Sequence, residues 1–318
     1  MLQQTTVEAV RRRYAAFLRE FPTVASLARA PQEAVLAAWS GLGYYARARN
    51  LHRAARLLVR RHGGRLPEEP AALSRLPGFG PYTSSAVAAL AYGAEVPAAD
   101  VNVTRVVSRL FAIGGNPASA AHRAQVLRRT RELLPRRRPG AGLAALMDLG
   151  QLRCRVRNPD CPRCPLSREC RARRLKDAES FPALRRRPAP VTVHVAAAVA
   201  RRGSRALLVR RPAGYLAGLW EFPCGEAESA PAAGRALRQR CRQLGIRVTA
   251  RVPAMATHAI VGRRLRIRVF GAEPAQGRAA GATEPARWLT AGEAGRRALP
   301  TLTKKIAKAA GFLPGGVP

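Results

Sequence analysis

The sequence predicts two domains: a mainly α N-terminal region followed by an α+β C-terminal domain. Three observations carry this. Apolar residues recur at helical spacing through the first half, and no convincing strand precedes residue 185. Residues 183–190 combine prolines with a run of arginines and read as a linker. From Val191 onward, β-rich runs and apolar/basic alternation replace the helical pattern. A length of 318 residues also suits two domains.

The first helix is expected over Val7 to Phe21, where Val7, Val10, Tyr14, Phe17 and Leu18 share a face. Pro31 to Trp39 is the second, with Pro31 at a first-turn position that needs no N–H. Ala46 to Arg61 is the third and carries a basic face. Ala71 to Leu76 and Thr83 to Tyr92 flank a tight turn. Val101 to Phe111 and His122 to Leu134 follow, and Gly142 to Cys154 leads into a cysteine-rich loop. In the second domain, Val191 to Ala200 and Arg205 to Arg211 read as strands joined by Arg-Gly-Ser turn chemistry. Ala232 to Leu244 reads as a helix, and Arg264 to Ala272 as an edge or half-buried strand. No internal repeat is evident.

Four of the six cysteines, Cys154, Cys161, Cys164 and Cys170, fall within 17 residues as C-x6-C-x2-C-x5-C. Four thiolates at close quarters can hold a [4Fe-4S] cluster or a zinc ion. Structural zinc sites generally use two C-x2-C knuckles and only one is present, so the spacing favours the cluster. Cys224 and Cys241 read as small apolar residues. The chain carries 56 Lys+Arg against 19 Asp+Glu, a formal net charge of +37. That field favours nucleic acid, because each neutralised phosphate releases counterions. GC-rich coding also produces arginine- and alanine-rich sequence, so charge alone does not fix the partner. The start is no signal peptide, and no apolar run approaches the ~18 residues of a membrane span. A thiolate cluster needs a reducing compartment, so a cytoplasmic, nucleoid-associated protein without membrane contact is expected.

Leu76 to Thr83 reads Leu-Pro-Gly-Phe-Gly-Pro-Tyr-Thr. Gly78 and Gly80 are expected to adopt backbone conformations that other residues resist. Amides of such a hairpin, next to a helix N-terminus, can hold a phosphate without reading sequence. This is the helix-hairpin-helix pattern. Asp100 lies 18 residues beyond Tyr82 and just before the helix at Val101. Its plain reading is an N-cap. The same placement suits a carboxylate that stabilises an oxocarbenium-like sugar, since the helix dipole favours negative charge there.

Hairpin, Asp100 and cysteine loop, in this order, resemble the endonuclease III superfamily of DNA glycosylases. Within it, Met1-Leu2-Gln3-Gln4-Thr5 and the stretch Gly41 to Leu51 closely resemble MutY-type adenine DNA glycosylases. The resemblance is specific to about residue 175 and weaker to about 310. It implies a helix-hairpin-helix glycosylase domain over 1–182 with its cluster loop at 154–170, then a Nudix-like lesion-recognition domain over 191–310. It also implies a monomer that removes adenine mispaired with 8-oxoguanine or guanine in double-stranded DNA. By the resemblance, Asp100 stabilises the cationic sugar, Asn102 holds that carboxylate, and Tyr82 lies beside the sugar. Relatives that also cleave the strand place a lysine at Tyr82, so a monofunctional glycosylase is expected. Gln3 and Gln4 are expected to probe the base stack. Tyr44 is expected to wedge beside 8-oxoguanine while Tyr45 packs in the core. Base flipping costs a few kcal/mol, and inserted side chains fill the gap.

Two departures qualify these expectations. The family's catalytic acid is a glutamate just upstream of the Met-Leu-Gln-Gln-Thr motif, and the sequence begins at that Met. General acids contribute ~10²–10⁴-fold, so base release by this chain is expected to be impaired, through a misplaced start or a real truncation. The alternative is a non-catalytic remnant that binds the A:8-oxoguanine mismatch. The family's Phe-Ser-His lesion loop is replaced by Ile260-Val261-Gly262, leaving Thr257, His258 or Arg263 as candidates, with a structural role expected for His258. A rival reading, a lyase-type pyrimidine glycosylase, is disfavoured by Tyr82. Nucleotide hydrolysis is disfavoured because Gln239, Arg242 and Gln243 stand where Mg²⁺-binding glutamates are needed.

Overall fold

The computed structural model describes residues 1–183, 188–214, 216–260, 262–275 and 285–313, and only the backbone of 250–256. Part of the expected linker (184–187) and Val261 lie outside the described residues. Along the chain run α1 (Val7–Glu20), α2 (Val24–Arg29), α3 (Gln32–Ala38), α4 (Ala46–His62), α5 (Pro70–Leu73), α6 (Pro81–Tyr92) and α7 (Val101–Phe111). Then come α8 (Ala120–Leu133), α9 (Pro139–Leu152), α10 (Arg171–Arg174), β1 (Val191–Arg202), β2 (Arg205–Arg210), β3 (Trp220–Glu221) and β4 (Cys224–Ala227). The chain continues through α11 (Ala230–Gln243), β5 (Ile246–Ile260), β6 (Arg263–Pro274), β7 (Ala286–Thr290), α12 (Ala291–Gly295) and α13 (Thr301–Ala309). Helices before strands is the order expected from the sequence. Pro31 stands at the N-cap of α3 rather than inside its first turn.

By contacts the chain divides into two compact units, Met1–Val59 with Pro188–Pro318, and Arg60–Arg187. The cut near Pro188 falls within the expected linker. The cut between Val59 and Arg60 corresponds to no boundary expected from the sequence.

The 60–187 unit is a helical body. Val103, Val106 and Val107 of α7 meet Ala86 and Ala89 of α6, Val126 of α8, and Leu143 and Leu146 of α9 in one core. Small residues let these helices approach closely. A Cβ on Gly140 would stand 2.3 Å from the carbonyl oxygen of Ala89, and one on Gly150 would stand 2.6 Å from the Cβ of Asn102. Buried His122 fixes α8 to α7: its Nδ1 lies 2.9 Å from the carbonyl of Gly114 and its Nε2 3.1 Å from Ser108 Oγ. A carbonyl only accepts, so Nδ1 carries the proton and Nε2 accepts from the serine.

In the other unit, strands run β3-β2-β1-β6-β5, with β4 also on β1 and β7 on β2. β6 lies between β1, parallel, and β5, antiparallel. It is therefore an interior strand and not the edge strand that its alternation also allowed. Val195, Ala197, Val199, Leu265, Ile267 and Val269 face a core shared with Leu302 and Ile306 of α13. On the other face, Ala196, Ala198, Ala200 and Ala272 pack under Ala233, Leu237 and Cys241 of α11. The first helices join this unit through Phe17, Leu36 and Trp39, which share a core with Leu216, Leu219 and Ala298. Glu33 Oε1 accepts from Trp220 Nε1 at 2.8 Å and from Arg297.

Candidate active site

In the 60–187 unit the hairpin turns at Gly78, whose φ of +87° favours glycine. Gly80 departs from expectation. As N-cap of α6 it has φ −74° and ψ 174°, extended backbone open to any residue. A Cβ there would meet nothing within 4 Å. What glycine supplies at 80 is bare surface over a helix N-terminus, with Pro81 in the first turn.

Asp100 is the N-cap of α7. Its Oδ1 accepts from the amides of Asn102 and Val103, each at 2.8 Å, and its Oδ2 from Asn102 Nδ2 at 3.0 Å. A carboxylate offers about four lone-pair positions. Both on Oδ1 and one on Oδ2 are filled, so among the described residues one edge of Oδ2 is open to a further partner. The carbonyl of Asn102 is held in turn: its Oδ1 accepts from Arg105 Nη2 at 2.9 Å. Arg105 also donates to the carbonyls of Gly150 and Cys154, each at 2.6 Å. Sequence reasoning missed both Arg105, three residues on along α7, and Gly150 of α9, which lies against the Asn102 side chain. Tyr82, in the first turn of α6, is close enough to Asp100 to feel its charge. Burial and then that charge push its hydroxyl up to about 12, so it is a neutral phenol at physiological pH.

All four loop cysteines are free thiols lining one cavity, together with Arg109, Arg153 and Arg173. Arg109 is 2% exposed and meets no carboxylate among the described residues. Its Nη1 lies 3.4 Å from Cys154 Sγ, and its remaining N–H groups reach the carbonyls of Arg155, Val156 and Phe181. A buried cation needs a counter-charge, and the Cys154 sulfur is the group at hand to supply one if a metal binds. Burial, then neighbouring thiols, push Cys161 up. Burial likewise pushes Cys164 up, so without a metal these sulfurs favour the neutral form. Among the described residues, no three His, Cys, Asp or Glu side chains gather closely enough to hold a single metal ion.

In the other unit, Gln3 and Gln4 lie exposed on the turn before α1, with Gln4 at φ +54°. Tyr44 is 47% exposed at φ +46°, whereas Tyr45 is 5% exposed and donates to the carbonyl of Leu299 at 3.4 Å. One residue missed by sequence reasoning ties the two loops together. Arg47 donates to the carbonyls of Met1, Gln3 and Leu42 and to Thr5 Oγ1, and its guanidinium stacks 5.5 Å from the Tyr44 ring. On β5, His258 is paired with core residue Leu265, and burial, then Lys305, pull its pKa down. Gln239, Arg242 and Gln243 are exposed on α11, so the positions that need carboxylates for Mg²⁺ carry none.

Residues 1–135 match the family model described as HhH-GPD superfamily base excision DNA repair protein. Residues 195–309 match the NUDIX domain. The human protein named adenine DNA glycosylase is 32% identical over 359 residues, covering 96% of this chain and 66% of that protein. Its mouse counterpart is 32% identical over 355 residues, covering 96% of this chain and 69% of that protein. The chain thus spans just under two thirds of the human relative's length. Among solved structures, a thermostable thymine-DNA glycosylase aligns at 28% identity and TM-score 0.47, over 54% of this chain and 78% of that one.

Proposed function

Because this chain belongs to the adenine DNA glycosylase family, we propose that it hydrolyses the N-glycosidic bond of adenine mispaired with 8-oxoguanine or guanine in double-stranded DNA. The observation that carries the reading is the Asp100 carboxylate, held by three donors with one lone-pair edge left open beside a neutral phenol. In the reaction the C1′–N9 bond breaks and its electron pair leaves with adenine. Adenine takes up a proton, balanced by the one that the attacking water later loses. The sugar becomes cationic, and Asp100 stabilises that charge because its geometry is set before the charge develops. Water then bonds to C1′ and loses a proton, leaving an abasic site. Asn102 and Arg105 do not touch the sugar in this scheme; they hold the carboxylate. Gly78 and Gly80 bring backbone close to a phosphate, and Gln3, Gln4 and Tyr44 occupy the disturbed base stack.

The cysteine loop supports a [4Fe-4S] cluster bound by Cys154, Cys161, Cys164 and Cys170, with buried Arg109 balancing the anionic sulfur. When bound, the cluster supplies a rigid anionic anchor for the loop whose first cysteine carbonyl holds Arg105. The domain ranges 1–182 and 191–310 belong to the same proposal as functional divisions, glycosylase and lesion recognition.

The test is single-turnover adenine release from an A:8-oxoguanine duplex, with abasic sites revealed by alkali. Release that is lost in Asp100→Asn supports the assignment. Release that survives this substitution removes Asp100 from the chemistry. Binding without release by the wild-type 318-residue chain would favour the mismatch-binding reading.

A further inference from the structure

β6 alternates Arg264, Leu265, Arg266, Ile267, Arg268 and Val269. The apolar members are buried on the α13 side, and Arg264, Arg266 and Arg268 are exposed on the opposite face. That face is covered by α11 at Phe270 and Ala272 and, on β1, as far as Ala196 beside Arg268; beyond that it is open, and all three arginines are exposed. Neighbours in register with Arg264 and Arg266 are short or polar. Thr192 and His194 of β1 stand beside Arg264 and Arg266, and Thr257 and Ala259 of β5 stand on the other side. None of the three arginines has an ion pair among the described residues. β6 is an interior strand with both edges paired, so these charges do not serve to block edge-to-edge association.

Like charges on neighbouring same-face positions repel, and among the described residues no carboxylate relieves them. A row of phosphates does. Alternate residues of a strand are about 6.7 Å apart, so the row spans about 13 Å. One strand of duplex DNA carries a charge every ~3.4 Å along its axis, about four phosphates over that length. Guanidinium is also the cation whose fork fits phosphate oxygens bidentately. Resting on the DNA substrate proposed above, we infer that Arg264, Arg266 and Arg268 form a ladder that grips the phosphate backbone of duplex DNA on the open sheet face, independently of the lesion and of base sequence.

The experiment measures the salt dependence of binding to undamaged duplex by the full chain. The Arg264→Gln/Arg266→Gln/Arg268→Gln variant is compared with wild type. An Arg235→Gln/Arg238→Gln/Arg242→Gln variant removes the same charge from exposed positions on α11. Each lost phosphate contact lowers the slope of log K against log salt by about 0.9, so the ladder variant is expected to lose about 2.7 and the control far less. If the triple variant melts early, Arg266→Gln alone is expected to lower the slope by about 0.9. An unchanged slope, an equal drop in the control, or a loss confined to single-stranded DNA overturns the ladder. Binding is read without base removal, so the two readings fail separately. A chain that releases no adenine but shows the slope change keeps the ladder. A chain that releases adenine with equal slopes loses it.

Discussion

Asp100 is at once a helix cap and the proposed stabiliser of the sugar cation, and chemistry can separate the two roles. Asparagine caps a helix about as well as aspartate. Asp100→Asn should therefore melt within a few tenths of a kcal/mol of wild type while adenine release falls by about 10²–10³-fold, the cost of losing one preorganised electrostatic partner. A large loss of melting temperature would mean that the carboxylate is structural. Tyr82 makes a second, pH-dependent prediction. Burial and Asp100 hold its hydroxyl at about 12, against an ordinary value of 10.0. Between these values the unfolded tyrosine gives up its proton and the folded one keeps it. Its contribution to stability is thus whole below about pH 10 and lost as pH rises toward about 12. Denaturant titrations should show this alkaline loss in wild type and a smaller one in Tyr82→Phe. A phenol also forms no Schiff base, so borohydride should trap no covalent adduct at this position.

At the scale of elements, two glycines that look alike in sequence have opposite duties. On α9, a Cβ at Gly150 would press on the Asn102 side chain and also lie 2.9 Å from its carbonyl oxygen. Gly150→Ala must push α9 away from the first turn of α7, at about 1–3 kcal/mol. It should lower adenine release as well, because Arg105 donates to the Gly150 carbonyl. At Gly80 the space is open and φ is ordinary. Gly80→Ala should leave the melting temperature nearly unchanged and weaken duplex binding by blocking the approach of a phosphate to α6. Thermal melts with binding isotherms separate the two; weaker binding in neither variant would remove the hairpin from the DNA interface.

At the scale of the whole molecule, Met1–Val59 packs with the residues after Pro188. Glu33 of α3 is a joint in that unit, accepting from Trp220 and Arg297. Burial raises its carboxyl pKa, but these hydrogen bonds prevail and hold it below its ordinary 4.5. Its contribution is complete above about pH 4.5 and lost as pH falls through the lowered value. Glu33→Gln should cost about 2 kcal/mol at pH 7, in the range for hydrogen bonds to a charged group. The gap to wild type should close in acid, as read by thermal melts. A gap that does not narrow at all as pH falls below about 4.5 would show that charge is not what Glu33 contributes. Anaerobically purified protein should be brown, absorb near ~400 nm and carry about four irons per chain, the stoichiometry of a single [4Fe-4S] cluster. Colourless protein with one zinc would overturn the cluster.

The sequence by itself determined what short-range physics decides. Helical periodicity located α1, α4 and α7, and the cap at Asp100 followed from a side chain that reaches amides only two and three residues on. The cysteine spacing brought four thiols to one cavity because the cysteines sit within a single loop. Tertiary structure decided what holds these groups. Arg105 reaches carbonyls 45 and 49 residues away, Arg109 is buried against the cysteine loop, and Arg47 ties the Gln3 and Tyr44 loops. It also made β6 an interior strand, and gave Gly80 its open position in place of a left-handed turn. Local patterns fix how a segment folds. Which face of that segment meets another depends on shape and polarity from far along the chain, and no window of neighbouring residues contains them.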